Sequence, residues 1–285
     1  MIGLRLMKKS SLCLKRSNNA FYSTLGSLGS ICDSRNRTTT IPETKVANVL
    51  SFGKIRKFSS ESEDAALTLY GFRFSQPTRS VQLLLEANSI PYKFETVDAI
   101  KGENRKAPFR NEFPLGLVPA IKMGPNNFRL AETAAILSYL CNSSDAVAAS
   151  WYPDAPEARA AVDSWMHWHH AHSRMCTKMI LHPVLFPKLP GQAEKAAQGA
   201  QQIKRVLKIL NDALGESKYL CGEDMTIADL LIICEFDQHR EEVTGLIDFS
   251  PYPNVQRWMR SFDEREWYRG IFETLQTVKS EYPNL

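Results

Sequence analysis

The sequence lacks the features that mark membrane-spanning, zinc-binding and disulfide-stapled proteins. No run of about 18 apolar residues occurs, so we expect no membrane-spanning helix. No two cysteines lie closer than thirteen residues, which excludes a CxxC pair for zinc or redox chemistry. The cysteines are Cys13, Cys32, Cys141, Cys176, Cys221 and Cys234. The last four have the character of small buried residues.

Acidic residues are nearly absent from the first 60 positions. That segment holds 11 Lys and Arg against 2 Asp and Glu, a balance of +9. The other 24 of the 35 basic residues and 29 of the 31 acidic residues give the rest of the chain a balance of −5. A slightly acidic body argues against a phosphate-binding surface, so we expect no nucleic-acid partner.

The basic first segment has the composition of an organellar transit peptide. Residues 4–16 (LRLMKKSSLCLKR) can form a short basic amphipathic helix, and Ser and Thr are frequent around it. The string RKFSS (56–60) resembles a mitochondrial processing site, with cleavage expected after Phe58. We therefore predict that residues 1–58 direct the protein to the mitochondrion. A plastid address and an uncleaved basic tail on a cytoplasmic protein are the alternatives.

The next stretch, 66–142, alternates between strand and helix patterns. Strand-like runs occupy 67–72, 92–98, 117–123 and 128–130, helix-like runs occupy about 77–88 and 132–141, and 101–112 is a short helix or loop. A turn-forming cluster at 124–127 predicts a hairpin between the last two strands. The resulting order, β-α-β-α-β-β-α, predicts an α/β domain with a mixed sheet covered by helices.

From residue 152 onward, beyond a polar linker (142–150), only helix patterns remain. The helix-like runs are 156–181, 193–214, 226–238 and 253–262. We expect the first to continue unbroken until Pro183. Thr226, with Asp229 three residues on, predicts a capping-box helix start. The pattern predicts an all-α domain over 152–285.

Four short motifs occur in a fixed order along residues 66–280. They are SQPTR (75–79), PLGLVPAI (114–121) with AET (131–133), DSWMHWHHAHSRMC (163–176) and GEDMTIAD (222–229). Together they resemble the glutathione transferases, and most closely the theta class of that family. The resemblance implies a thioredoxin-like domain (66–142), a C-terminal helical bundle domain (152–285) and a homodimer.

The resemblance implies an enzyme that uses glutathione as co-substrate and no metal. Its expected reactions are conjugation to small hydrophobic electrophiles, dehalogenation and reduction of organic hydroperoxides. Ser75 would be the catalytic residue, donating a hydrogen bond that keeps the sulfur of glutathione ionised. Read from the residues alone, Ser75 is also an ordinary helix cap before Pro77. Tyr70 is the rival donor, because other classes of the family use a tyrosine on the first strand.

The resemblance also assigns the residues that bind glutathione. Val118 would pair its backbone with the cysteinyl part beside a cis Pro119, and Glu132 and Thr133 would hold the γ-glutamyl end. The glycine carboxylate would fall to the segment of Lys101 and Asn104.

Asn104 and Leu117 depart from the family pattern, since theta-like proteins often carry a histidine or other polar residue near the first and a lysine at the second, both for the glycine carboxylate. Basic neighbours (Lys101, Arg105 or Lys106) are the candidate substitutes. These departures support an alternative function, a non-catalytic glutathione-transferase-like binding or scaffold module.

In the helical domain, the resemblance places Arg174 and His170 in the pocket for the electrophile. The histidines around them, His167, His169 and His172, have no carboxylate or cysteine that completes a metal site, so we expect no metal.

Overall fold

The computed structural model describes residues 67–124 and 126–280, with side chains to residue 277. The predicted transit peptide and the site after Phe58 lie outside them. The strands are β1 (Leu67–Gly71), β2 (Tyr92–Thr96), β3 (Ala120–Met123) and β4 (Phe128–Ala131). The helices are α1 (Gln76–Ala87), α2 (Ala107–Glu112), α3 (Thr133–Ser143), α4 (Pro156–Ala171), α5 (Ser173–Cys176), α6 (His182–Leu185), α7 (Gln192–Glu216), α8 (Ile227–Asp237), α9 (Pro253–Asp263) and α10 (Glu266–Ser280).

The four described strands form one mixed sheet in the order β2-β1-β3-β4, as predicted. β2 lies parallel to β1, while β3 is antiparallel to both β1 and β4. The two central strands carry the side chains that are most deeply buried, among them Leu67, Leu69 and Ile121. The predicted hairpin joins β3 to β4 around Gly124 and Asn127, whose backbones both have positive φ. The described part of the chain contains no helix long and apolar enough to cross a membrane.

Beyond α3, the described residues form a helical domain, again as predicted. α8 lies at its centre, because every one of its residues is buried. The predicted capping box is present at the start of α8. The Thr226 side chain accepts the Asp229 N–H, and the Asp229 side chain accepts the Thr226 N–H. α7 turns one apolar face inward through Ile203, Val206 and Leu210.

Two helix predictions were wrong. The run 156–181 is not one helix, since it breaks at His172, where φ is −123° and ψ is −80°. The His172 ring stacks on Trp168, and its Nδ1 donates to the Trp168 carbonyl at 2.9 Å, which also accepts the His172 N–H at 3.1 Å, so the ring and the backbone share this acceptor at the end of α4. The path then continues through α5, a π-helical turn (Thr177–Leu181) and α6, past the predicted stop at Pro183. α10 was missed altogether.

One hydrophobic core links the sheet to the helical domain. Helix α1 packs against both α8 and α10, and the same buried cluster includes Leu69 on β1, Leu84 on α1 and Ile232 on α8. Since α1 lies between the sheet and α8, the turn at its N-terminus is held by both domains.

Candidate active site

Four segments leave the same edge of the sheet because of how the strands pair. Tyr70 on β1 lies opposite Ala120 on β3, which in turn lies opposite Ala131 on β4. β1 and β4 end at this row and β3 begins there, so their connecting segments emerge side by side. The loop after β2 joins them, since Val97 donates its N–H to the Gly71 carbonyl at 2.8 Å. The predicted residues in these segments are Ser75, Lys101, Asn104, Val118, Pro119, Glu132 and Thr133.

Ser75 occupies the N-cap position of α1, yet its hydroxyl does not cap the helix. Its backbone is extended (φ −69°, ψ 122°), and its side chain makes no capping hydrogen bond. The residue is half-buried. A serine at this position usually accepts a hydrogen bond from the first turn. Here the hydroxyl remains available at the positive end of a 12-residue helix.

Close packing fixes the position of the turn that carries Ser75. A Cβ atom on Gly71 would lie only 2.3 Å from Cγ2 of Thr78, so the end of β1 approaches α1 as only glycine permits. Thr78 Oγ1 also accepts the N–H of Phe72 at 3.4 Å. The turn between these residues is therefore tied to the strand before it and the helix after it.

Two unusual backbone features flank the opposite side of the same edge. The peptide bond between Val118 and Pro119 is cis, as the resemblance implies. Glu132 has φ 76° and ψ 115°, a conformation that residues other than glycine rarely adopt and that concentrates at binding sites. Its side chain is exposed, and Thr133 behind it is buried and begins α3. A second helix N-terminus therefore faces this edge.

The loop after β2 is tied to the segment that leads to the cis proline. Asn104 Nδ2 donates to the Gly116 carbonyl at 2.8 Å, while its Oδ1 is buried without a hydrogen-bond partner. Lys101 Nζ lies 3.1 Å from Asp98 Oδ2, so its charge already has a partner. Leu117 is 41 % exposed at the same place. Asn104 thus supports the loop, and an apolar side chain faces solvent where a cation was expected.

Arg174 reaches from the helical domain to the residue next to Ser75. Its Nη1 donates to Gln76 Oε1 at 2.9 Å and to Glu235 Oε1 at 3.0 Å. The structure therefore places Arg174 at the turn that carries Ser75. His170, the other predicted pocket residue, is exposed, and it is the neighbouring His169 that is buried.

Glu235 is a buried and ionised carboxylate. It is 1 % exposed, and burial by itself raises its pKa. Arg174, His169 and the hydroxyl of Thr177 outweigh that effect and hold the pKa of Glu235 below its ordinary value. His169 places Nε2 3.6 Å from Glu235 Oε1 and Nδ1 2.8 Å from Ser173 Oγ. Burial lowers the pKa of His169 to about 4, so its ring is neutral at neutral pH.

The described cysteines are unreactive thiols. Burial raises the pKa of Cys141 and Cys234 to about 12 and that of Cys221 to about 11, and it raises the pKa of Cys176 well above its ordinary value. The thiolate is the nucleophile, so these residues do not react at neutral pH. Within the part of the chain that the structure describes, no cysteine therefore offers a thiolate at this edge.

Two other observations bear on the site. A cavity of about 640 Å³ lies between the C-terminal end of α1, β2 and α10, and its lining includes Arg73, Tyr92 and Trp267 but none of the predicted site residues. Within residues 67–124 and 126–280, no group of three or more His, Cys, Asp or Glu side chains is arranged to hold a metal ion.

Sequence reasoning missed the partners of Arg174. Gln76, Glu235 and Gln238 converge on Arg174 and Thr177. Arg174 is 98 residues from Gln76 in the first domain and 61 residues from Glu235, and Thr177 is 61 residues from Gln238. Gln76 lies inside the SQPTR motif and so was available as a candidate. Glu235 and Gln238 had one local signal, namely polar residues on an otherwise apolar helix.

Comparison with known proteins matches two family models. Residues 65–142 match the glutathione S-transferase N-terminal domain and residues 174–266 match the glutathione S-transferase C-terminal domain. Glutathione S-transferase theta-3 of Mus musculus is 35% identical over 217 residues, covering 74% of this chain and 88% of the relative. Glutathione S-transferase T1 of Arabidopsis thaliana is 32% identical, covering 68% and 82%. The human glutathione-S-transferase T1-1 apo structure superposes with a TM-score of 0.67 at 30% identity, covering 77% and 92%.

Proposed function

The chain belongs to the glutathione S-transferase family, and we propose that it is a theta-like enzyme that activates glutathione as a thiolate through the hydroxyl of Ser75. The thiolate attacks an electrophilic carbon, a C–S bond forms, and a leaving group such as halide departs with the bonding electrons. With an organic hydroperoxide, the thiolate attacks the terminal oxygen and releases an alcohol. A second glutathione then converts the sulfenic acid to a disulfide and water.

The energy required for ionisation matches what the Ser75 turn can supply. A free thiol has a pKa of about 8.5, and lowering it by about two units takes roughly 2.7 kcal/mol. A hydrogen bond to a charged group contributes about 1.5–3 kcal/mol, and a helix N-terminus adds about 0.3–1 kcal/mol. Ser75 offers both, since its hydroxyl is free of capping and lies at the start of α1. No general base is needed.

The remaining edge residues give a plausible cradle for the tripeptide. Val118 beside the cis proline would pair with the cysteinyl backbone as an added strand does. Glu132 would meet the γ-glutamyl ammonium, and the N-terminus of α3 at Thr133 would meet its carboxylate. Lys101 and Asn104 lie on the loop toward the glycine end.

The electrophile would bind on the helical side of the Ser75 turn. Arg174 is 27% exposed in its side chain and hydrogen-bonds Gln76, so it would face the electrophile beside the Ser75 turn. His170 would line the outer part of the pocket.

The observation that carries the proposal is the uncapped hydroxyl of Ser75 at the shared sheet edge. Turnover with an activated aryl halide and with an organic hydroperoxide should fall roughly 10–100-fold in Ser75→Ala, as expected for the loss of a hydrogen bond to a charged group. Ser75→Thr keeps the hydroxyl and should retain much of the activity. Equal activity of wild type and Ser75→Ala would assign the donor elsewhere, with Tyr70→Phe as the next variant.

A second candidate function is a glutathione-transferase-like binding or scaffold module without turnover. The exposed Leu117 and the ion-paired Lys101 favour it, because neither offers a free cation to the glycine carboxylate. Calorimetry with glutathione and turnover assays on the same preparation distinguish the candidates. No turnover together with no binding at millimolar glutathione supports the module, whereas turnover with either substrate excludes it.

We also propose a mitochondrial location and a homodimer. The +9 balance of residues 1–60 supports the first. Mass spectrometry of the native protein should find a new N-terminus close to residue 59, and an intact Met1 contradicts this. Light scattering should give twice the mass of the mature chain, and a monomer contradicts the dimer.

A further inference from the structure

The turn that carries Ser75 is anchored to the helical domain at two points. Buried Arg79 donates from Nη1 to the Phe74 carbonyl at 2.6 Å and from Nη2 to the Cys234 carbonyl at 2.8 Å. Buried Gln76 forms the second anchor, since its amide contacts both Arg174 and Gln238. Gln76 and Arg79, both in the first turn of α1, therefore hold the Ser75 turn against the helical domain.

The second anchor is part of a closed ring of hydrogen bonds that begins and ends at Glu235. Its Oε1 accepts from Arg174 Nη1, which also donates to Gln76 Oε1. Gln76 Nε2 donates to Gln238 Oε1, and Gln238 Nε2 donates to Thr177 Oγ1 at 2.5 Å. The Thr177 hydroxyl closes the ring by donating to Glu235 Oε2. The two side chains that hydrogen-bond Gln76 are thus oriented by one carboxylate. Its Oε1 binds Arg174 directly, and its Oε2 acts on Gln238 through Thr177.

We propose that Glu235 is a positioning residue of the thiolate site, which acts through Arg174 and Gln76 to fix the first turn of α1; this inference rests on the function proposed above. The uncapped Ser75 hydroxyl explains the need for such a device. A helix start whose N-cap side chain is reserved for a ligand must be held by other contacts. The Glu235 ring supplies them from across the domain boundary.

The negative charge at Glu235 strengthens the ring because both of its oxygens accept from donors, one of them a guanidinium. Glutamine at this position keeps the shape but offers one acceptor and one NH₂ group. If that NH₂ group faces the Arg174 guanidinium, which only donates, the bond to Arg174 is lost. If it faces the Thr177 oxygen, which can accept a second hydrogen bond beside that from Gln238, Arg174 is left with a neutral amide oxygen and a weaker bond. In either orientation Arg174 is held less firmly, and so is its contact with Gln76.

The test is the ionisation of glutathione bound to Glu235→Gln. The ultraviolet absorbance of the bound thiolate is titrated with pH in wild type, Glu235→Gln, Gln76→Ala and the double variant. We expect the pKa of the bound thiol to rise by about one unit in Glu235→Gln, which is a tenfold lower thiolate fraction. The glutathione affinity should change far less, and kcat should fall more than KM rises.

The groups that face Glu235 and titrate or carry charge are Arg174, His169, Cys176, Cys234 and His239.

The double variant shows whether Glu235 acts through Gln76. If it does, adding Glu235→Gln to Gln76→Ala raises the thiol pKa no further, whereas independent effects would add. Asp212→Asn removes an exposed carboxylate on α7 that pairs with Lys208 at 2.6 Å, and it controls for loss of charge. It should leave the thiol unchanged.

Three results overturn the proposal. One is a Glu235→Gln enzyme whose bound thiol titrates as in wild type, and another is a double variant with additive shifts. The third result applies if Glu235→Gln does not fold, and it is a Gln76→Ala enzyme whose bound thiol has the wild-type pKa. Failure of the function proposed above gives a different result. In that case Ser75→Ala leaves the pKa of the bound thiol unchanged, whatever the Glu235 variants do.

Discussion

Replacing Asp229 with alanine should cost a large part of the stability of the helical domain. The Asp229 carboxylate is completely buried and accepts four hydrogen bonds. Oδ1 accepts from the Leu220 N–H at 3.0 Å and from Trp258 Nε1 at 2.9 Å. Oδ2 accepts from the N–H and the hydroxyl of Thr226, each at 2.9 Å. One side chain thus joins the start of α8, the preceding loop and α9.

The magnitude follows from the donors that the variant leaves behind. Two backbone N–H groups and one indole N–H lose their acceptor, whereas the Thr226 hydroxyl can rotate. Each buried donor without a partner costs about 1–3 kcal/mol, which gives about 3–9 kcal/mol in all. Relief of the buried charge offsets part of this, so we expect about 4 kcal/mol. A typical folded protein has about 5–15 kcal/mol in total, so the variant should lie near its folding limit.

Urea unfolding measured by tryptophan fluorescence is the assay. Asp229→Ala should unfold at a much lower urea concentration, and Asp229→Asn, which keeps one acceptor oxygen, should fall in between. Asp224→Ala, an exposed carboxylate five residues earlier, is the matched control and should stay within about 0.5 kcal/mol of wild type. A loss below about 1 kcal/mol in Asp229→Ala would refute the reasoning.

Two further predictions concern pH and affinity. Burial lowers the pKa of His169 to about 4 and that of His239 to about 3, whereas an unfolded histidine titrates near 6.5. Between pH 7 and pH 5 the unfolded state therefore binds more protons than the folded state, and each histidine should lower the free energy of unfolding by about 2 kcal/mol over this range. The unfolding temperature of His169→Asn should fall with pH at roughly half the wild-type slope. A wild-type unfolding temperature that does not change with pH would contradict this. Leu117→Lys should tighten glutathione binding by up to about fivefold at low salt, as expected for an exposed ion pair. Leu115→Lys, on a neighbour that is more exposed than Leu117 (66% against 41%), is the calorimetric control. Equal gains in both variants, or no gain in Leu117→Lys, would count against a glycine-end position for residue 117.

Local patterns were sufficient to predict most of the fold. The strand around Leu69 and the hairpin at Gly124 are defined by short-range alternation and turn chemistry, which sequence displays directly. The Thr226–Asp229 capping box was equally local. The break at His172 was not predicted from the pattern; there the ring stacks on Trp168 and shares its carbonyl with the backbone N–H. α10 had a detectable signal in Tyr268 and its helically spaced apolar neighbours, and it was overlooked.

The candidate site, like the fold, was predictable only where the signal is local in sequence. The SQPTR motif marked Ser75, and strand pairing explains why Pro119 and Glu132 join it at one edge. The positive φ of Glu132 and the ring around Glu235 arise only when distant segments meet, so no local pattern reveals them. For the same reason, sequence placed His170 in the pocket, while helix packing turned His169 inward.

The account depends most on the contact between the Ser75 hydroxyl and the sulfur of glutathione, and a crystal structure of the complex measures it directly. We predict that Ser75 Oγ lies within hydrogen-bonding distance of the sulfur and points toward it, with the tripeptide backbone paired to Val118. A complex in which Oγ turns back to cap α1, or in which the Tyr70 hydroxyl is the donor to the sulfur, would contradict the account.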